Sequence, residues 1–132
     1  MTFTREYVIR YVHIFNDKQK RMTKYMALYM APAASVKKFM SLPQAEMKAA
    51  LAEWGAWSAA HKADIVDEGA PLNRTMRVDA SGASDAKNEI TAYTIVQASS
   101  LADAAKLFEG HPGTKFEGGW IEVLEFVPMP GM

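Results

Sequence analysis

An α+β sandwich, with two helices laid on one face of a sheet, is the fold class predicted by this sequence of 132 residues. Three observations carry it. Several short stretches are apolar or alternating at the length of strands, among them "KYMALYM", "EITAYTIVQA" and "WIEVLEFV". Two other stretches have the apolar spacing or the cap of a helix. The strands also come in runs divided by helices, in the order β-α-β-β-(β)-α-β, which is the pattern of a ferredoxin-like sandwich.

Taken in order, residues 1–21 read as an N-terminal extension to a domain spanning 22–132. Through Met22 the chain holds five basic residues against two acidic ones, and Tyr7, Val8, Tyr11, Val12 and Ile14 suit either a helix or a strand. A basic amphipathic stretch could touch a membrane or a partner, and a simple appendage is the plainer reading. "KYMALYM" (24–30) predicts a strand with Tyr25, Ala27 and Tyr29 on one face and Met26, Leu28 and Met30 on the other. "APAAS" ends it, and Ser35 to Met40 predict a short helical turn. Ser41 is expected to cap the main helix, with Pro43 and Glu46 near its start and its end at about Lys62. The stripe of that helix is Met47, Ala50, Leu51, Trp54, Trp57 or Ser58, and His61. Trp54 and Trp57 therefore serve burial, and His61 caps the carbonyl-rich end.

A second strand is expected over Ala63–Asp67, a third over "RTMRVD" (74–79), then a loop through "ASGASDAKN". "EITAYTIVQA" (89–98) is the clearest strand. Ser99 or Ser100 caps the second helix, "LADAAKLFE", with Asp103 three residues after Ser100, and Gly110 stops it. The last strand, "WIEVLEFV" (120–127), sets Trp120, Leu124 and Phe126 on one face and Ile121, Val123 and Val127 on the other. Two helices cover one face of such a sheet. The other face is apolar too, and a two-fold partner sheet is its simplest cover, so a homodimer is expected.

Composition narrows the function. Hydrophobic residues make up 49% and charged residues 23%, with 15 basic and 15 acidic side chains. Nucleic-acid binding usually brings a basic excess, so no such partner is expected. Without cysteine there is no disulfide, thiolate nucleophile or Cys-based zinc site. That fits a reducing compartment, and the cytoplasm is the expected location. No stretch approaches the roughly 18 apolar residues of a membrane span. His13, His61 and His111 lack paired metal spacing, and no glycine-rich phosphate loop occurs, so neither metal nor cofactor is expected.

From Met22 to Met129, about four-fifths of the chain, the sequence resembles the YCII-related family, in the branch named for a DGPF tetrapeptide. The matching stretches are "MTKYMALYM", "LPQAEMKAALAEWGAW" with "EGAPL", "DAKNEITAYTIVQASSLADAAKLFEGHP" and "GGWIEVLEFVPM", in that order. Two departures stand out. "VDASGASDAKNEI" holds no Asp-Gly-Pro-Phe, and the helix position where one branch carries a histidine proposed to act with an acid holds Glu53 or a neighbour, so the resemblance carries over no catalytic pair. The resemblance implies a ferredoxin-like fold, pairing of two sheets into a dimeric α/β barrel, and a cleft. Members of the branch are often encoded beside alternative sigma factors, which implies a regulatory setting.

The residues expected at the cleft are His111 and Glu122 as the acid–base pair, with Tyr93, Trp57 and Lys87 as ligand contacts. Glu122 alternates with Trp120 and Leu124 and shares their face; Tyr93 shares a face with Ile95. His111 follows the helix stop, so it is expected to be accessible and to exchange protons near its intrinsic pKa of ~6.5. Glu122 would be base or anchor, Tyr93 a donor and Lys87 an anion contact. The structural alternative pairs Glu122 with a basic residue at an interface and leaves His111 decorating a turn. Three functions stay open: a small-molecule enzyme or binder using the cleft, a non-enzymatic interaction or regulatory protein, and, by fold analogy alone, a cofactor-free oxygenase.

Overall fold

The stretch Thr23–Met30 forms the central strand, β1, and its two apolar alternations go to different fates. Tyr25, Ala27 and Tyr29 are buried, whereas Met26, Leu28 and Met30 are half-buried. The computed structural model describes residues 22–130. After β1 come α1 (Ala33–Met40), α2 (Gln44–Ala60), β2 (Ile65–Asp67), β3 (Thr75–Asp79) and β4 (Gly82–Ala86). The chain continues with β5 (Ile90–Ala98), α3 (Leu101–Leu107), α4 (Pro112–Lys115) and β6 (Trp120–Glu125). The mixed α+β class is as predicted.

Four strands form an antiparallel sheet in the order β2-β5-β1-β6, and β3 and β4 form a separate hairpin. Each helical crossover therefore returns to a strand parallel to the one it left, with one antiparallel strand between. Both crossovers pack on the face that holds Tyr25, Ala27, Tyr29, Thr94, Val96 and Ala98. Trp57 of α2, Ala104 of α3 and Phe108 just past α3 complete that core, with Trp54, Ile121 and Val123 packed against it. On the other face Trp120 and Leu124 of β6, and Phe126 just after it, stay exposed.

Several local expectations need correction. Ser41 does not cap the main helix; it closes α1, its hydroxyl donating to the Lys37 carbonyl at 2.9 Å, and Pro43 stands at the start of α2. That first helix is fuller than a turn, and α2 stops at Ala60, two residues early. Leu51 leaves the buried stripe and is 59% exposed. The segment expected as a loop is largely strand: Gly82–Ala86 pairs with Thr75–Asp79 across the two-residue turn Ala80–Ser81. Its glycine, alanines and serine carry little strand propensity, so the partner's backbone imposes the form. The second helix agrees with expectation: the Ser100 hydroxyl accepts from the Asp103 amide at 3.1 Å. Ser99 donates to the Asp103 carboxylate at 2.6 Å, and the side-chain hydroxyls of Ser99 and, less, Ser100 hold that carboxyl below its ordinary range. The extension at residues 1–21 lies outside the described residues.

Candidate functional site

Beneath the helices, three other parts of the chain converge on His111. Tyr29 comes from β1, Trp54 and Trp57 from α2, Phe108 from the turn after α3, and His111 from the start of α4. The histidine stacks on Tyr29, ring centroids 4.9 Å apart and planes 28° off parallel. It meets Trp54 and Trp57 edge to face, each at 4.5 Å, at 88° and 70°. Tyr29 and Trp54 are themselves edge to face at 4.5 Å, and Trp57 stacks on Phe108 at 5.0 Å. Such pairs add directional preference to the burial of area.

Local sequence explains why His111 points inward. Gly110, at φ +76°, reverses the chain after the helix. His111 then serves as N-cap of α4: its Nδ1 accepts from the Gly113 amide at 2.8 Å, and Thr114 donates its hydroxyl to the His111 carbonyl at 2.7 Å. An accepting Nδ1 puts the ring proton on Nε2. That Nε2 is buried and has no hydrogen-bond partner among the described residues. With 0% exposure, burial depresses the pKa of His111 to about 4, and His61 nearby adds to the effect. The expectation of an accessible, titrating His111 is thus corrected: the ring is neutral, shielded from solvent and unable to pass protons to it.

A second polar group shares this layer. Thr94, buried on β5, donates to the Glu68 carbonyl at 3.1 Å, so the Tyr29 hydroxyl must donate to Thr94 at 2.8 Å. Burial raises the Tyr29 phenol to about 12. Trp57 likewise spends its indole N–H on the Leu107 carbonyl at 3.0 Å, which fixes α2 to the end of α3. His61 closes α2, its Nδ1 2.9 Å from the Trp57 carbonyl and its ring stacked on Trp57 at 4.5 Å. Trp54, Trp57 and His61 therefore take the core and capping roles that their spacing suggested.

The five expected cleft residues do not form one cleft. His111 and Trp57 lie under the helices. Glu122 and Tyr93 lie on the opposite, open face, because each is paired with Leu28, an outer residue of β1. They flank it in one row, Tyr93–Leu28–Glu122, about 10 Å from end to end at ordinary strand spacing. Lys87 is exposed between β4 and β5, at the root of the hairpin. Glu122 accepts the indole N–H of Trp120 at 2.8 Å, and Tyr93 donates to Asp67 at a long 3.4 Å. The acid–base pair His111–Glu122 is thereby separated by the sheet itself. Sequence reasoning left Tyr29 and Thr94 out of the site; the alternation of "KYMALYM" already held Tyr29 and Tyr25 on one face, whereas nothing local marked Thr94.

An open groove of about 340 Å³ runs beside α3 and β6, floored by Phe108, Ile121 and Val123 and rimmed by Thr114 and Trp120. Among the described residues no three His, Asp or Glu side chains group as metal ligands, and no helix is long and apolar enough to cross a membrane. A scan against protein-family models finds no match to this chain, and a search of curated proteins finds no significant relative.

Proposed function

We propose that this chain is a YCII-related protein of ferredoxin-like fold that works as a homodimer, and that the outer face of its sheet takes a small ligand between the two copies. The observation that carries this reading is a polar pair set among mostly apolar neighbours on the sheet face away from the buried core. Tyr93 and Glu122 flank Leu28, and around them stand Met26, Met30, Ile95, Trp120 and Leu124. Trp120 and Leu124 are 38% and 46% exposed. Faces of that size and polarity are rarely left to water. The strand order β2-β5-β1-β6, with both crossovers on one side, supports the ferredoxin-like assignment. Pairing two such faces across a two-fold axis would build the α/β barrel that the resemblance implies.

In that arrangement Glu122 anchors a hydrogen-bond donor or cation of the ligand, and Tyr93 supplies a phenol. His111 has no part in the chemistry: it positions α4 and the helices. Sizing at micromolar concentration should give a dimer, and Leu124→Arg should give a monomer, since a charge buried in the interface costs several kcal/mol. A ligand-observed NMR screen on wild type, Glu122→Gln and Tyr93→Phe then tests the cleft. Hits that bind all three forms equally would put the site elsewhere. A second reading, an interaction protein with a regulatory partner, draws on the same exposed face. A monomeric wild type whose face captures a defined protein from its native cell would favour it.

A further inference from the structure

The β3–β4 hairpin does no work in the core of its own chain. Its register puts Met76, Val78 and Ala83 on one face, with Asp85, and Thr75, Arg77, Asp79 and Ser84 on the other. The polar face is self-sufficient, since Arg77 pairs with Asp79 at 3.3 Å. On the apolar face Met76 is 61% and Val78 78% exposed. Apart from each other, β3 and β4 make no more than marginal contact with any described element. A lone two-stranded ribbon is marginally stable in water, and an amphipathic one needs a surface for its apolar side.

We propose that this hairpin is an arm that packs its Met76–Val78 face onto the second copy of the chain, so that each protomer of the dimer clasps the other. The inference rests on the homodimer reading above and adds to it the element that completes the interface. Placement supports it. The arm springs from the end of the sheet where Ile90 pairs with Met30 and Met30 with Trp120, the start of the open apolar face. Its five-residue strands reach about 16 Å.

Area supports it as well. Four strands about 4.8 Å apart, averaging roughly six residues in length, present a footprint of roughly 400 Å². A stable interface buries about 800 Å² on each partner. Giving one arm and receiving another would add roughly 300 Å² of footprint per protomer, at the same spacings, which brings the interface near the stable range. A two-fold partner satisfies both needs at once, because each copy carries both the arm and the surface that receives it. At the arm's root, moreover, an open hollow of about 320 Å³ lies between Leu72, Arg74, Met76 and Ile90, a seat for side chains of the partner.

The chain has no cysteine, so one introduced thiol reports cleanly. The full chain carrying Val78→Cys is labelled with a maleimide benzophenone and irradiated. Adducts of twice the chain mass, mapped to Trp120–Phe126 or to Leu72–Ile90 of the other copy, are expected. Adducts confined to one chain, residues 1–21 included, overturn the proposal. In parallel, analytical ultracentrifugation compares wild type with the double variant Met76→Lys, Val78→Lys. The expected result is a dimer Kd raised about tenfold or more by two buried ammonium groups, with the melting temperature of the dilute monomer unchanged. An unchanged Kd overturns the arm and leaves the sheet-face dimer standing; a wild type that stays monomeric at 100-fold the tested concentration overturns both.

Discussion

Mild acid should destabilise this protein through one residue, His111. In the folded chain its imidazole is fully buried, its Nδ1 is occupied by the Gly113 amide, and its pKa sits at about 4 against an ordinary 6.5. The titratable groups beside it are the Tyr29 phenol, against whose ring it stacks, and His61 at the end of α2. Neither is a carboxylate that could welcome a proton on the imidazole. Below pH 6.5 the unfolded chain binds a proton at His111 and the folded chain refuses it until about pH 4. Stability therefore falls across that window as pH drops, and levels off beneath it. A difference of about 2.5 units corresponds to roughly 3 kcal/mol at the lower end, an order-of-magnitude figure. That is a large share of the 5–15 kcal/mol typical of a domain.

The assay is urea denaturation at pH 7.5, 6.5, 5.5 and 4.5, for wild type and His111→Asn. The asparagine oxygen can still accept from the Gly113 amide, yet it does not titrate. It leaves a small void, so the variant starts less stable at pH 7.5. Other titrating groups act on both proteins alike. The expected result is convergence: the wild-type advantage shrinks by about 2.5 kcal/mol between pH 7.5 and pH 4.5. Parallel curves would refute the reasoning, because they would mean that His111 takes up a proton as easily folded as unfolded.

At the alkaline end, Tyr29 is raised to about 12 by burial, so the folded state holds its proton longer than the unfolded one and stability is lost as pH climbs above 10. Tyr29→Phe should flatten that loss in thermal melts between pH 9 and 11, and an identical slope would count against a buried phenol. Two glycines should separate sharply on replacement by alanine. At Gly69, φ +78°, a Cβ would fall 1.6 Å from the Tyr93 carbonyl oxygen, whereas at Gly110, φ +76°, it meets open space. Gly110→Ala should cost about 1 kcal/mol of left-handed strain, and Gly69→Ala about 3 kcal/mol or more from strain and overpacking together. Equal midpoints in urea would contradict the close approach at Gly69.

Much of the fold was legible because its signals are local. Alternation in "KYMALYM" and "EITAYTIVQA" marks strands at the right places, and the Ser100 cap with Asp103 three residues on marks the start of α3. The three-and-four spacing from Met47 to His61 finds α2 and its indoles. What failed locally was competition between neighbours. Ser41 stands between two helices and serves the end of the first, because Pro43 already starts the second. Gly82–Ala86 has the composition of a loop and becomes a strand because β3 is there to pair with it.

The candidate site shows the boundary most clearly. Sequence alone determined which residues share a face: a strand's side chains alternate whatever the rest of the molecule does, so Tyr93 with Ile95, and Glu122 with Leu124, were bound to stay together. It could not determine which face the helices would cover. Both alternations of β1 are apolar, three residues against three, and hydrophobicity does not choose between them. Only the packing of α2 and α3 decided it, burying Tyr25 and Tyr29 and leaving Met26 and Leu28 half-buried. The same packing decided the fate of His111. After Gly110 it reads as a turn residue free in solvent, and no feature of "EGHPG" says otherwise. Its burial depends on Tyr29, Trp54 and Trp57, which reach it from more than fifty positions away in the chain. A local pattern carries no record of such distant neighbours, and it is they, by excluding water, that turn a proton-exchanging imidazole into a neutral piece of the core.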